Sequence, residues 1–224
     1  PEGNLFFEVR LIPLFDDQLI LLLRDITGRK RSEIAAQERA GKIIRYQAAL
    51  LELSQSDQQN FDAAIAGMME VGARMLDLDR VSLWLFNQEK THLICENLYC
   101  AGSGTHEKSD GKGLYVSRYP SYFATLRENL IIAVEDVRRD PRMDELAAYF
   151  NEHEILSTMD APLRLHGRVE GVLCMDHFRK TRLWSSEDQD FAASLAQMIS
   201  LLLESRARKS TEEALKDREA NLRT

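Results

Sequence analysis

The sequence predicts an α+β fold, an antiparallel β-sheet with helices against both of its faces. Three observations lead there. Within "RVSLWLF" (80–86), Val81, Leu83 and Leu85 alternate with Trp84 and Phe86, so both faces are apolar, as in a strand covered on two sides. Two pairs of strand-like runs, 80–86 with 91–99 and 156–165 with 169–178, are joined by connections short enough for hairpins. Amphipathic helical patterns stand before the first pair and after the second.

Each element follows from local pattern. Phe6, Glu8, Arg10 and Ile12 alternate with Phe7, Val9 and Leu11, "FDDQ" (15–18) supplies a turn, and Leu19–Leu23 returns as a second strand. A lone hairpin is marginal in water, so residues 1–27 read as the last two strands of a domain. The first residue is Pro1 rather than Met, which fits a piece of a longer chain. Residues 28–54 carry no proline and repeat every seven: Ile34, Gly41, Ala48 and, beside them, Gln37, Ile44, Leu51. That spacing fits a coiled-coil seam and equally a single amphipathic helix packed on the next domain.

Asp57 or Asn60 can cap a helix running to Leu76, with Phe61, Ile65, Met68 and Met75 on one face. After the first strand pair, "AGSGTHEKSDGKG" (101–113) reads as a flexible loop. Pro120 and Pro141 sit in the first turns of two short helices, the second capped by Asp140, and 130–136 reads as a strand between them. "HGR" (166–168) turns the second hairpin, with Gly167 free to take a positive φ. Ser185 with Asp188, or Ser186 with Gln189, has capping-box spacing for a last helix whose stripe is Ala192, Leu195, Ala196, Ile199, Leu202 and Leu203.

Composition narrows the function classes. Of 224 residues, 44% are hydrophobic, enough for a core, and the net charge of −7 argues against a nucleic-acid footprint. The basic run Arg29–Arg31 is interleaved with Glu33 and Glu38, the pattern of a solvated helix face. No apolar run approaches the roughly 20 residues that span a bilayer. Three cysteines, Cys95, Cys100 and Cys174, suit reduced thiols in a cytoplasmic setting.

Catalytic patterns fail on inspection. His153 opens "HEILS", which lacks the second histidine of a zinc helix. The glycines of 101–113 lack phosphate-loop spacing, and no two of the five histidines have tight ligand spacing. No metal or catalytic residue is assigned. Cysteine alone does not make a thiol enzyme, which needs a lowered pKa and access.

The element order, with "PSYFATLRENLIIAVEDVRRDPRMDEL" (120–146), "STMDAPLRLHGRVEGVLCMDH" (157–177) and the "RLWSSEDQDFAASLA" run (182–196), resembles the GAF domain over roughly residues 45–205. The opening hairpin and Asp25-Ile26-Thr27 resemble the end of a PAS domain. The resemblance implies four parts: a truncated PAS hairpin (1–27), a signalling helix (28–54), a GAF domain (55–205) and an outgoing helix (206–224). It further implies a module of a bacterial sensor, of the histidine kinase or diguanylate cyclase type. Such a module dimerises through Ile34, Gly41, Ile44, Ala48, Leu51 and the C-terminal helix and acts on an output domain of the same chain. GAF domains that attach a bilin do so through a cysteine in the helix region. Residues 136–160 have none, so any small-molecule ligand is expected to be non-covalent. Its pocket would lie between the sheet and the short helices, lined by Trp84, Phe86, Tyr122, Phe123, Met159, Asp160 and Cys174, with Ala161 nearby. The same residues could simply fill a core. A ligand-free dimerisation scaffold and a methionine sulfoxide reductase-like thiol enzyme are the alternatives. Asp160 and Asp176 are expected as polar anchors or as partners of Arg164 and Arg182.

Overall fold

The computed structural model describes residues 4–13, 19–55, 60–108 and 113–222. The chain divides into two compact units, Pro1–Arg45 and Tyr46–Thr224. In the first, β1 (Phe7–Pro13) and β2 (Leu19–Asp25) form an antiparallel hairpin in which Val9 faces Leu23 and Leu11 faces Leu21. The turn expected at 15–18 lies outside the described residues. Asp25-Ile26-Thr27 acts as a joint. The Asp25 carboxylate accepts the Thr27 N–H at 2.8 Å, and the Thr27 hydroxyl accepts the Phe6 N–H at 2.9 Å. Thr27 opens helix α1 (Thr27–Gln55). Phe7, Val9, Leu11, Leu19, Leu21 and Leu23, all on one face of the hairpin, are each more than half exposed.

The heptad positions of α1 are open as well. Ile44 is 65% and Leu51 59% exposed, Ile34 and Ala48 are exposed, and Gly41 is half-buried. The helix's last turns carry a different stripe, Tyr46, Ala49 and Leu53, which is buried in the core of the second unit.

That unit is built on a seven-stranded antiparallel sheet. Its strands are β3 (Arg80–Phe86), β4 (His92–Cys100), β5 (Thr105–Glu107), β6 (Leu114–Tyr115), β7 (Ile132–Val134), β8 (Ser157–Leu165) and β9 (Arg168–His177). Their order is β5-β4-β3-β9-β8-β7, with β6 also paired to β4. Three residues of the expected loop, Thr105–Glu107, therefore pair with Leu98–Cys100; their side-chain contacts are polar or aromatic, His106 lying against the Tyr99 ring and bonding Asn97, which is why no apolar alternation marks them. At the β8–β9 turn both His166 and Gly167 have positive φ (49° and 79°), the combination a two-residue hairpin loop requires.

Five helices complete the unit or lead into it: α1, α2 (Phe61–Leu76), α3 (Pro120–Glu128), α4 (Ala147–Glu152) and α5 (Ser186–Leu222). Asn60 caps α2, its side chain accepting the Ala63 N–H. The alternative cap, Asp57, lies outside the described residues. Ser185 and Asp188 form a reciprocal box at the start of α5: the Asp188 carboxylate accepts the Ser185 N–H and the Ser185 hydroxyl accepts the Asp188 N–H. The helix expected after Asp140 is split, beginning as a 3₁₀ turn (Pro141–Leu146) before α4.

The sheet separates two cores. On one face Val81, Leu83, Met159, Ala161, Leu173 and Met175 meet α2, α5 and the end of α1. On the other, Trp84, Val172, Ile132 and Val134 meet α3, the 3₁₀ turn and α4. The predicted α+β architecture, a sheet between helical layers, is thus the observed one.

Candidate functional site

The second face of the sheet holds a patch of polar side chains that the strand register sets in two rows. Arg80, Asp176, Thr158 and Val134 lie side by side across β3, β9, β8 and β7. Next to them run Ser82, Cys174, Asp160 and Ile132. Each follows from period-two alternation: every other residue of three central strands points to this face. Burial is nearly complete, with Arg80 4%, Thr158 1%, Asp160 2% and Asp176 2% exposed.

Buried polar groups need partners, and these have them. The Arg80 guanidinium donates to Asp176 Oδ2 through Nε (2.9 Å), with Nη2 2.8 Å from the same oxygen in the ion pair, and Nη2 donates to the Tyr149 hydroxyl at 3.1 Å. Thr158 Oγ1 lies 2.8 Å from Asp176 Oδ1 and 3.2 Å from Asp160 Oδ1. The Tyr122 hydroxyl donates to Asp160 Oδ2 at 2.8 Å, and the Trp84 indole N–H to the Ser82 hydroxyl at 2.9 Å. A small cavity of about 20 Å³ remains at the centre, touched by Trp84, Tyr122, Tyr149, Asp160, Cys174 and Asp176 among others. It has room for one water-sized group.

Helix α3, which roofs this cavity, is held at both ends. Glu145 accepts the N–H groups of Ser121 (3.0 Å) and Tyr122 (3.1 Å) at its start. At its end, Arg164 Nη2 donates to the carbonyls of Leu126, Arg127 and Asn129 at 2.9–3.0 Å. The backbone N–H of Arg164 donates to Ser200 Oγ of α5, on the far side of the sheet.

Four of the seven residues expected at the pocket, Trp84, Tyr122, Asp160 and Cys174, touch the cavity. Phe86 and Phe123 lie in the same core, with ring centroids 5.6 Å apart, and do not line it. Met159 is a correction. It points into the opposite core together with Ala161, because neighbours along a strand face opposite ways and Asp160 takes the cavity side. The expected pairing of the aspartates also changes. Asp176 binds Arg80; Arg164 caps α3; Arg182 reaches the carbonyl of Leu76 and the carboxylate of Asp188. The sequence reading missed Arg80, Tyr149, Thr158 and the role of Asp176. The signal for them is polar residues two apart on otherwise buried strands, Arg80/Ser82, Thr158/Asp160 and Cys174/Asp176.

The thiols are poor nucleophiles. Burial pushes Cys95 up to about 12, and burial followed by the neighbouring Asp160 pushes Cys174 well up. Burial also raises Cys100. Iodoacetamide at pH 7.5 should therefore leave Cys95 and Cys174 of the folded protein unmodified and reach Cys100 more slowly than a free cysteine. Peptide mass mapping reads this directly, and rapid alkylation of Cys95 would contradict the burial described here. Among the described residues no cluster of three or more His, Cys, Asp or Glu could hold a metal, and no helix is long and apolar enough to cross a membrane.

A family model for the GAF domain matches residues 60–203. The fold is similar to the GAF domain of an Acinetobacter phosphoenolpyruvate-protein phosphotransferase: TM-score 0.58 at 17% identity, covering 76% of this chain and 95% of that one. It is similar to the chromophore-binding domain of the Stigmatella aurantiaca bacteriophytochrome (TM-score 0.57, 15% identity, 90% and 70% covered). It also resembles the blue-light absorbing form of the Thermosynechococcus elongatus PixJ GAF domain (0.53, 14%, 72% and 98%). No curated protein matches the sequence.

Proposed function

The chain belongs to the GAF domain family, and from that premise we propose that it is the sensory and regulatory module of a bacterial signal-transduction protein. The observation that carries the reading is the small polar cavity on the second face of the sheet, lined by Trp84, Tyr122 and Tyr149 together with Asp160, Cys174 and Asp176. An apolar filling would be no less stable than a desolvated Arg80–Asp176 pair, so the polar patch is explained by what it binds or senses. The matched PixJ and bacteriophytochrome domains are named for light absorption and chromophore binding, which supports a sensory role for the shared fold.

In this reading the ligand is a non-covalent small molecule, and its entry moves α3 against the sheet. The signal leaves through α5 to an output domain of the same cytoplasmic chain, a histidine kinase or diguanylate cyclase. The hairpin is the end of a PAS domain, and the exposed heptad positions Ile34, Ile44, Ala48 and Leu51 pair with a second copy. The small volume favours a second reading, a ligand-free dimerisation scaffold. Native mass spectrometry of the purified chain separates the two. The expected species is a dimer heavier than two chains by one or two small molecules. Bare dimers in repeated preparations would favour the scaffold, and bare monomers at every concentration would sink both.

A further inference from the structure

The hydrogens of the polar patch do not add up for two ionised aspartates. Asp176 is fully engaged as a carboxylate: Oδ2 accepts from Arg80 and Oδ1 from the Thr158 hydroxyl. A hydroxyl has one hydrogen, and the shorter contact, 2.8 Å to Asp176, takes it. The 3.2 Å contact from Thr158 Oγ1 to Asp160 Oδ1 is then acceptor against acceptor, unless Asp160 itself carries a hydrogen. Among the described residues no cation pairs with Asp160.

We propose that the cavity is a proton-binding site, in which Asp160 holds an exchangeable proton on Oδ1 and donates it to Thr158 Oγ1. The groups facing Asp160 fit this from every side. On β9, Cys174 and Asp176 face it; the thiol can donate, and the carboxylate repels a second negative charge. On β8, Thr158 accepts the proton. From α3, Tyr122 donates to Oδ2 in either protonation state. From β7, Ile132 brings no charge. Arg80 on β3 is committed to Asp176 and to Tyr149 of α4. Burial, then the Asp176 charge, raises the Asp160 carboxyl to about 6.

Release of this proton leaves a bare charge beneath α3 whose nearest donors are Tyr122 and Cys174. The helix that carries Tyr122 is thereby coupled to the protonation state. The site itself stands on the geometry alone; its regulatory meaning rests on the sensory reading above. Because the folded-state value is raised, the stability this carboxyl contributes is complete below its ordinary value near 3.8 and is lost as pH rises through about 6.

Carboxyl-carbon NMR of the ligand-free chain, labelled with ¹³C-aspartate and titrated from pH 4.5 to 8.5, tests the proposal. One aspartate should titrate with a midpoint one to two pH units above the ordinary range, and Asp160→Asn should remove that signal. Tyr122→Phe deletes a donor to the ionised form and should move the midpoint upward, which keeps the test open if Asp160→Asn does not fold. The Tyr122 and Phe123 amide shifts should follow the same midpoint. If all aspartates titrate below pH 5, the proton site is wrong. If Asp160 titrates as expected while the α3 amides stay fixed, the coupling to α3 is wrong.

Discussion

Arg80→Met should destabilise the second unit by roughly 3–5 kcal/mol, the usual consequence of removing one partner of a buried ion pair. The methionine fills much of the space, so the loss is one of charge and hydrogen bonds more than of volume. Asp176, 2% exposed, would keep only the Thr158 hydroxyl, and the Tyr149 hydroxyl would lose its donor. The guanidinium also stands 5.5 Å from the Phe178 ring and 5.8 Å from that of Tyr149, contacts that methionine replaces only by dispersion. Asp160 and Asp176 would then face each other with no cation at hand. With Asp160 raised to about 6, the deficit should be smaller at pH 5, where the proposed site holds its proton on Asp160, than at pH 8, where Asp160 is ionised. Urea unfolding of wild type and variant at both values measures it. The double variant Arg80→Met/Asp176→Asn should recover a large part of the loss, since the orphaned charge is gone. An Arg80→Met protein as stable as wild type at pH 8 would mean that water, and not Arg80, neutralises this patch.

Phe191→Ala should cost about 3–5 kcal/mol, the range for deleting a buried aromatic ring. Phe191 is 2% exposed and stacks on Tyr46 with ring centroids 4.5 Å apart and planes at 27°. The Tyr46 hydroxyl continues to Asp188 at 2.6 Å, so the ring pair and the hydrogen bond tie the last turns of α1 to the first turns of α5. Deleting the ring removes the stacked contact of that joint and leaves a cavity beside the Tyr46–Asp188 hydrogen bond. Hydrogen exchange should quicken selectively over residues 46–55 compared with the central strands, and urea unfolding should give the global loss. Uniform acceleration across the unit would show that the Tyr46–Phe191 contact has no local role. In the proposed function this joint links the incoming and outgoing helices without passing through the cavity.

What the chain reveals by inspection follows the range of the interactions concerned. Local signals were readable: the capping box of Ser185 and Asp188, the His166-Gly167 turn, and the two apolar faces of Arg80–Phe86 all rest on residues within a few positions of one another. The site's chemistry is made at long range. Arg80 and Asp176 are 96 positions apart, and Tyr122 and Asp160 are 38 apart. An aspartate near the end of a strand reads as a polar anchor or an arginine's partner, but nothing local says which arginine, and Arg80 at the start of another strand gives no sign of it. Only the antiparallel register turns them into a buried pair. Met159 was misplaced for a simpler reason: it was grouped with its neighbour Asp160 although the strand period puts the two on opposite faces. The pairing of Thr105–Glu107 left no mark because an exposed edge strand buries nothing.

The sheet's division of the unit into two cores has an evolutionary consequence. A partition one strand thick works as an insulator. Volume-preserving apolar exchanges among Met68, Leu195 or Met175 are absorbed on the helix side. They leave the register of Arg80, Thr158, Asp160 and Asp176 in place. Conversely, changes on the cavity face that leave every buried polar group partnered need not disturb the slab that supports it, whereas one that orphans a charge, as Arg80→Met does, is felt by the whole unit. That division gives a physical basis for chains only 14–17% identical sharing this architecture: the apolar slab can keep its packing while the residues of the other face differ.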